Sequence, residues 1–198
     1  MNRSVIDRDA VAADPRHYSA DEITRDGQPI LIRAIRPDDK SRLREHFHSL
    51  SEQSVYFRFM GIKRDLDVDD LRRLTELDFD TAVGLVATFP ADSVGRIIGV
   101  GRYARGVDSR RAEVAFAILD SHQGRGIGTL LLKHLGVIAR RAGIIEFTAD
   151  VLGDNRRMLE VFENSGFKIR RIFDSGVVHV RLPMGEADSR STASPKPR

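Results

Sequence analysis

The spacing of apolar residues divides the central part of the chain into strand-like and helix-like segments. Ile30 to Ile35 is a short run of apolar, β-branched residues, which predicts a first strand. Helical spacing follows over residues 38–50, 52–59 and 68–76. Pro37 and the two aspartates after it suit the start of the first helix, because carboxylates are favoured at the positive end of a helix dipole.

Beyond residue 80 the pattern changes to short strand-like runs separated by turn-forming residues. Three runs are predicted as strands: Thr81 to Phe89, Arg96 to Tyr103 and Ala112 to Leu119. Pro90-Ala91-Asp92 separates the first two, and Gly106 to Arg110 separates the last two. Their close spacing predicts an antiparallel meander.

The clearest helix in the pattern runs from Gly126 to Ala142. Its apolar residues recur at steps of four, four, three and four, which puts them on one face: Ile127, Leu131, Leu135, Ile138 and Ala142. Gly143 supplies a stop at the C-terminal end of this helix.

The pattern of the last third of the chain completes the predicted fold. Phe147 to Val151 is predicted as a strand and Asn155 to Asn164 as a short helix. A closing hairpin is predicted from Phe167 to Phe173 and from Val177 to Leu182. This order of elements is typical of an α/β or α+β domain built around a mixed sheet.

The two ends of the chain differ from the part between them. Met1 to Asp26 alternates charged and small residues, and Gly185 to Arg198 is rich in Ser, Pro and Arg. Such segments bury too little apolar surface to offset the cost of ordering, so disorder is predicted at both ends. The compact domain is therefore predicted over residues 27–184, and it contains no internal repeat.

Composition narrows the class of protein. The chain has 198 residues, of which 41% are hydrophobic and 31% charged, as expected for one globular domain. It has no cysteine, which excludes disulfides and a cysteine nucleophile and fits a cytoplasmic location. Acidic residues lie among the arginines and the net charge is only +3, so no nucleic-acid partner is expected. No apolar run approaches the ~20 residues of a membrane span, and the polar N-terminus predicts no secretory signal.

A glycine-rich loop comes immediately before the clearest helix, with the sequence Gln123-Gly124-Arg125-Gly126-Ile127-Gly128-Thr129. The first N–H groups of a helix lack intrahelical partners and carry the positive end of its dipole, so a diphosphate fits there. Glycines let the backbone approach phosphate oxygens, and Arg125 can add a charge-assisted contact. The spacing matches neither the G-x-G-x-x-G dinucleotide fingerprint nor the P-loop. A tight turn without a ligand is the alternative explanation at this point.

The loop and its flanking segments resemble the GNAT acetyltransferase superfamily. Gln123-x-x-Gly126-x-Gly128 before an apolar helix is similar to the family signature Gln/Arg-x-x-Gly-x-Gly/Ala. The similarity continues in three flanking segments: Ala112 to Ile118, Val151 to Met158, and Ser165-Gly166-Phe167. The resemblance implies a mixed, mostly antiparallel sheet of about seven strands flanked by helices. It also implies acetyl-CoA as the cosubstrate, without a metal.

The resemblance implies roles for individual residues as well. The strand backbone at Phe116, Ala117 and Ile118 corresponds to the part that binds the pantetheine arm, and Gln123 to Thr129 to the part that holds the pyrophosphate. Glu113 corresponds to the general base of the family, which takes a proton from the attacking amine directly or through a water.

The same residues have structural alternatives. Glu113 could lie on the wet face of an alternating strand, and Phe116 and Ile118 could simply pack in the core. Asn155 could contact the cofactor, but capping its helix is an equally good account. Phe162 stands where many family members have a tyrosine, so no side-chain general acid is expected there; the ring packs on the cofactor arm or in the core.

More narrowly, these motifs are similar to the acetyltransferase domains of bacterial protein-lysine acetyltransferases, which implies a protein lysine as the acceptor. A small-molecule amine acceptor and a non-catalytic acetyl-CoA-binding module are the alternatives. Those domains are often fused to an acyl-CoA synthetase-like or cyclic-nucleotide-binding domain, for which we expect no room in this chain.

The scattered histidines lack metal-ligand spacing. By the same resemblance, the helical region shapes the acceptor site, and four of its arginines are more usually a solvated face than ligands: Arg58, Arg64, Arg72 and Arg73.

Overall fold

A mixed sheet forms the centre of the protein. The computed structural model describes residues 14–90, 92–106, 108 and 110–184. Within these residues the sheet has eight strands: β1 (Ser19–Ile23), β2 (Pro29–Ala34), β3 (Ala82–Thr88), β4 (Ile97–Arg105), β5 (Arg111–Ile118), β6 (Glu146–Leu152), β7 (Arg170–Asp174) and β8 (Val177–Pro183). Their order is β1-β2-β3-β4-β5-β6-β8-β7, and every neighbouring pair is antiparallel except β5 and β6.

Helices cover both faces of the sheet. The described residues form α1 (Lys40–His48), α2 (Glu52–Phe59), α3 (Val68–Thr75), α4 (Ile127–Arg141) and α5 (Arg156–Glu163). The helices α4 and α5 share one hydrophobic core with the sheet, and α1, α2 and α3 share a second core on the opposite face. In β3, Leu85 belongs to the first core and Val86 to the second, because neighbouring side chains of a strand point to opposite faces. No helix of the described part is both long and apolar enough to cross a membrane.

Glycines in β4 let α4 lie close to the sheet. A Cβ atom added at Gly101 would come within 2.9 Å of the Phe116 ring and 3.2 Å of the Leu131 side chain. One added at Gly99 would lie 2.8 Å from Ile118 and 3.0 Å from Ile127. Carbon atoms do not approach each other this closely unless one of them shifts. The lack of a side chain at Gly99 and Gly101 therefore allows α4 to pack closely against β4.

The predicted mixed, mostly antiparallel α/β fold is confirmed, and its predicted elements are all present with small changes of boundary. The largest change concerns the strand predicted from Phe167, since β7 begins only at Arg170. Phe167 instead packs against α4, where its ring would clash with any side chain at Gly136. The sheet also has eight strands rather than about seven, and the additional strand is β1.

The prediction of disorder for Met1 to Asp26 is wrong for residues 14–26. These residues form a 3₁₀ turn and β1, which pairs antiparallel with β2. Tyr18 is 3% exposed, and its hydroxyl is hydrogen-bonded to Nδ1 of the buried His134 in α4. Oε1 of Glu22 lies 3.0 Å from Nε2 of the same histidine, so β1 is attached to α4 by side chains as well as to β2 by its backbone. The other predicted disordered residues, 1–13 and 185–198, lie outside the described part.

Deleting residues 2–24 is therefore expected to lower the melting temperature by at least about 6 °C. Removing a large buried side chain such as Tyr18 costs about 3–5 kcal/mol, and 1 kcal/mol shifts the melting temperature of a domain of this size by about 2–4 °C. Deleting only residues 2–13 is the control, because the composition of that segment predicts little contribution to stability. Calorimetric melting curves check this, and a shift below about 2 °C for the longer deletion would contradict the role given to β1.

Candidate functional site

The sheet opens between β5 and β6. Their parallel pairing includes only Arg111 with Glu146, Ala112 with Phe147 and Glu113 with Thr148. Beyond this point β5 stays paired with β4 as far as Ile118, and β6 stays paired with β8 as far as Leu152. The two strands thus diverge and leave a cleft whose closed end lies at Glu113.

The edge of β5 that faces the cleft has backbone groups that are not paired with another strand. Leu119 donates its N–H to the carbonyl of Ile98 in β4. In an antiparallel pair, successive residues of a strand point their backbone N–H and C=O groups alternately toward the partner strand and away from it. The N–H and C=O groups of Phe116 and Ile118 therefore point away from β4. The intervening Ala117 faces β4 with its backbone, and its side chain lines the cleft region. An extended ligand can therefore pair with this edge in the manner of an added strand.

The cleft has a volume of about 610 Å³, which lies in the range of sites for cofactor-sized ligands. Its walls are the open edge of β5, the glycine-rich loop, and residues of α2 and α5. The predicted site residues from Phe116 to Thr129 thus come together with Glu113, Asn155 and Phe162 around one space; Arg125 belongs to the loop but is not among the residues that line it.

The loop at the open end of the cleft ends at the start of α4. Gly124 and Gly126 have φ angles of +77° and +87°, a region that only glycine adopts without strain, and Gly126 is the N-cap of α4. No described side chain caps this helix, so its first N–H groups are available to an anionic ligand. A backbone with these dihedral angles at the N-terminus of a fifteen-residue helix fits a diphosphate.

Gln123 fastens the loop to three other elements. Its Nε2 donates to the Ile118 carbonyl at 3.0 Å and to Oγ of Ser54 at 3.2 Å, and its Oε1 accepts a bond from Arg157. All three contacts are made within the protein. The side chain of Gln123 therefore stabilises the conformation of the loop, which is a role distinct from direct contact with the diphosphate.

Arg125 connects the loop to the turn between β1 and β2. Its guanidinium lies 3.1 Å from Oδ2 of Asp26 and donates to the Ser121 carbonyl at 3.0 Å. In return, the N–H of Arg25 donates to the Arg125 carbonyl at 2.9 Å. The hairpin turn thus supports the loop, and Arg25 itself lines the cleft beside Gly126.

Arg25 was missed by the sequence reasoning because it falls in the segment predicted to be disordered. The Asp26-Gly27 pair was a usable signal, since Asp-Gly between two strand-like runs is a strong sign of a hairpin turn. The alternation before it was too polar to be recognised as a strand, because β1 is an edge strand without a fully buried residue.

Three residues that follow Gly126 are buried at the start of α4: Ile127, Gly128 and Thr129. A Cβ atom at Gly128 would lie 3.0 Å from Val161 in α5, so this glycine is explained by the close packing of the two helices. It still borders the cleft, as do Ile127 and Thr129. Of the three glycines in the loop, Gly124 and Gly126 are the ones whose backbone conformation needs glycine.

Two aromatic rings form the apolar floor of the cleft. Phe116 and Phe162 are 3% and 2% exposed and pack edge to face, with ring centroids 6.3 Å apart. Both also belong to the core between the sheet and α4, so core packing and cleft lining hold together. The side chain of Asn155 accepts the N–H of Met158 and so caps α5, while bordering the cleft.

Glu113 lies at the closed end of the cleft and is exposed. Its side chain is on the side of the sheet covered by α2, where it interacts electrostatically with two guanidiniums, those of Arg58 and Arg102. Burial lowers the pKa of Arg58 to about 10, with the like charge of Arg102 adding to the effect. Arg58 is half-buried and lines the cleft, so the expectation of a solvated helix face is wrong for this residue; Arg64, Arg72 and Arg73 are exposed as expected.

Comparison with known proteins agrees with this geometry. A family model described as the acetyltransferase (GNAT) family matches residues 47–167. The acetyltransferase PA5475 of Pseudomonas aeruginosa is 31% identical over 156 residues, which are 78% of this chain and 84% of that protein. The acetyltransferase Pat of Mycolicibacterium smegmatis is 31% identical over 166 residues, 83% of this chain and 49% of Pat. The chain thus spans about half the length of Pat.

Solved structures show the same fold. The GNAT domain of S. lividans PAT superposes with a TM-score of 0.76 at 37% identity, covering 83% of this chain and 96% of that domain. A cAMP-binding acyltransferase from Mycobacterium smegmatis superposes with a TM-score of 0.61 at 26% identity, covering 95% of this chain and 55% of that protein. Because the family model covers more than half of the chain and includes the loop and the open strand edge, the chain belongs to the GNAT acetyltransferase family.

Proposed function

We propose that this acetyltransferase transfers the acetyl group of acetyl-CoA to a protein lysine ε-amine, with Glu113 as the general base. The observation that carries the proposal is the cleft between β5 and β6, which has a carboxylate at its closed end and a glycine-rich helix N-terminus at its open end. These two ends suit the two parts of an acetyl transfer, the removal of a proton and the binding of a diphosphate.

The open end and the free strand edge suit different parts of acetyl-CoA. The N–H groups at the start of α4, from Gly126 to Thr129, would hold the pyrophosphate, with Gly124 giving the backbone room to approach. The N–H and C=O groups of Phe116 and the N–H group of Ile118 would pair with the amide groups of the pantetheine arm, since the Ile118 carbonyl already accepts from Gln123. Acetyl-CoA supplies the acetyl group as an activated thioester, and the chain supplies the orientation.

Glu113 would accept the proton of the amine. A lysine amine titrates near pH 10.4 and is therefore almost fully protonated at neutral pH, so it must lose a proton before it attacks. The carboxylate of Glu113 is exposed at the closed end of the cleft, where it can take that proton directly or through a water. Phe162 has no proton to donate, and because the coenzyme A thiolate is a fair leaving group, water can serve as its proton source.

Support for a lysine acceptor comes from the sequence motifs, which resemble those of bacterial protein-lysine acetyltransferases over the strand, the loop and α5. The test is to follow release of the coenzyme A thiol from acetyl-CoA with matched acceptors. These are a peptide with a blocked N-terminus and one lysine, the same peptide with dimethyl-lysine as the control, a polyamine, and free amino acids.

We expect the lysine peptide to give a kcat/KM at least ten times that of any free amine, and the dimethyl-lysine control to give none. Turnover restricted to the polyamine or to free amino acids would contradict the lysine assignment and identify a small-molecule acetyltransferase. Tight acetyl-CoA binding without turnover of any acceptor would contradict the catalytic proposal as a whole.

A further inference from the structure

We propose that Arg58 and Arg102 form a carboxylate-binding site beside Glu113, so that the preferred acceptor carries an acidic group close to its reacting amine. This inference rests on the proposed function, because it assigns the class of acceptor for the same cleft. It assigns a function to two cationic side chains that are needed neither for binding acetyl-CoA nor for general-base catalysis.

The two arginines come from different elements and meet on one face of the sheet. Arg102 lies in β4 directly opposite Ala115 of β5, and residues directly opposite in an antiparallel pair point to the same face. Glu113 is two residues before Ala115 and so shares this face, in a diagonal position that long side chains can reach. Arg58 approaches from α2 above them, and electrostatic interactions link the three side chains to one another.

Neither guanidinium forms a close ion pair within the described part of the chain. No salt bridge within 4.0 Å and no hydrogen bond joins Arg58 or Arg102 to another residue of that part, although Arg58 stacks over the Phe59 ring at 5.0 Å. Arg73, the next cation along this face, lies 2.6 Å from Asp70 and is therefore paired. Cations shielded from water are normally paired, so two half-buried guanidiniums beside one carboxylate leave one positive charge for a ligand.

The environment of the two side chains supports the same conclusion. Burial lowers the pKa of both guanidiniums, which means that each would gain stability from an anion brought alongside. Arg58 borders the main cleft and also a small pocket of about 40 Å³ whose other lining residues include Arg102, Ala115 and Ala117. Arg58 thus brings positive charge into the main cleft, and Arg102 lies beside it at the small pocket.

The arrangement suits an acceptor with two charged groups. A guanidinium presents a planar fork of N–H donors that binds both oxygens of a carboxylate. An acceptor carboxylate held by Arg58 and Arg102 would direct the neighbouring amine to the adjacent Glu113. The carboxylate has two sources that share this chemistry: an aspartate or glutamate beside the target lysine of a peptide, or the α-carboxylate of a free amino acid.

Matched pairs of acceptors test the proposal and separate the two sources. One pair is a blocked pentapeptide with lysine next to aspartate and the same peptide with asparagine. The other pair is a free amino acid and its carboxamide. We expect the carboxylate member of at least one pair to have a kcat/KM at least ten times that of its neutral partner. A preference in the peptide pair would identify a side-chain carboxylate beside the lysine, and a preference in the other pair would identify the α-carboxylate of a free amino acid.

Variants then assign the preference to these residues. In Arg58→Gln/Arg102→Gln the preference, taken as the ratio of kcat/KM for the charged and the neutral acceptor within the same variant, should fall to within twofold. Arg72→Gln is the matched control, since Arg72 is exposed on α3 and pairs with Asp69 and Glu76 away from the cleft. Arg58→Lys keeps the charge without the fork and should retain only part of the preference. Melting curves and acetyl-CoA affinity verify that each variant is folded.

A binding measurement makes the test independent of turnover. The affinity of the acetylated aspartate and asparagine peptides, and of the N-acetylated amino acid and its amide, is measured by calorimetry with the protein loaded with coenzyme A. If no acceptor reacts but a carboxylate ligand binds at least tenfold more tightly to wild type than to the double variant, the proposed function fails and this site remains. The inference is overturned if the charged and the neutral acceptor of each pair have equal kcat/KM and equal affinity. It is also overturned if the preference for the carboxylate persists in the double variant.

Discussion

Replacing Glu113 by glutamine is expected to lower kcat by about 10²–10⁴-fold, because general-base catalysis contributes about that much to rate. Glutamine keeps the size and hydrogen-bonding capacity of glutamate but cannot accept the amine proton. The affinity for acetyl-CoA should stay within a few-fold, because Glu113 is at the closed end of the cleft and the glycine-rich loop is at the other. Steady-state release of coenzyme A thiol measures the first quantity and calorimetry the second.

The pH dependence of this variant adds a second criterion. The fraction of neutral lysine amine rises tenfold per pH unit below about 10.4, so the deficit of the glutamine variant should shrink as the pH increases. Glu160→Gln is the control, because Glu160 is another exposed carboxylate that borders the same cleft, on α5. A Glu113→Gln protein that turns over at the wild-type rate at pH 7 would exclude Glu113 as the base.

Replacing Gly126 by aspartate is expected to weaken acetyl-CoA binding by about 10–100-fold, equivalent to about 1.4–2.7 kcal/mol. The backbone at this N-cap has a φ of +87°, which disfavours any side chain, and a Cβ atom would lie 3.1 Å from the Arg25 side chain. The carboxylate would also put a negative charge at the helix N-terminus, where the diphosphate is proposed to bind.

Gly143→Asp is a matched control for this substitution. Gly143 follows the other end of α4, has a φ of +78° and has no atom within 4 Å of an added Cβ, so it reproduces the backbone strain away from the cleft. Gly126→Ala separates strain from charge and should weaken binding less than Gly126→Asp. Unchanged affinity in a folded Gly126→Asp protein, measured by calorimetry, would exclude the loop as the diphosphate site.

The helix that carries the loop was well predicted from the sequence. Residues 126–142 were expected and α4 spans Ile127–Arg141, because its apolar spacing is regular and glycines mark both ends. The strand with Glu113 was also predicted to within one residue at each end. These features are local, so periodicity and turn chemistry were enough to find them.

Features that depend on contacts between distant segments were missed. The edge strand β1 has no fully buried residue, and its order comes from pairing with β2 and from the contact of Tyr18 with His134, 116 residues away. The half-buried state of Arg58 depends on how α2 lies against β4 and β5, which no spacing along α2 reveals. Tertiary packing decides both, and a single sequence shows only the local part of it.

The short seam between β5 and β6 divides the sheet into two leaves, one with five strands and one with three. A rotation of the leaves about three residue pairs changes the width of the cleft most at its mouth, beyond Ile118, and least at the hinge beside Glu113. Opening of the mouth therefore leaves the carboxylate nearly in position. The acyl group of a bound thioester must lie beside the amine at this narrow end, so such a motion would adjust the fit of the pyrophosphate and of the pantetheine arm at the mouth while the acyl group, the amine and the base stay together.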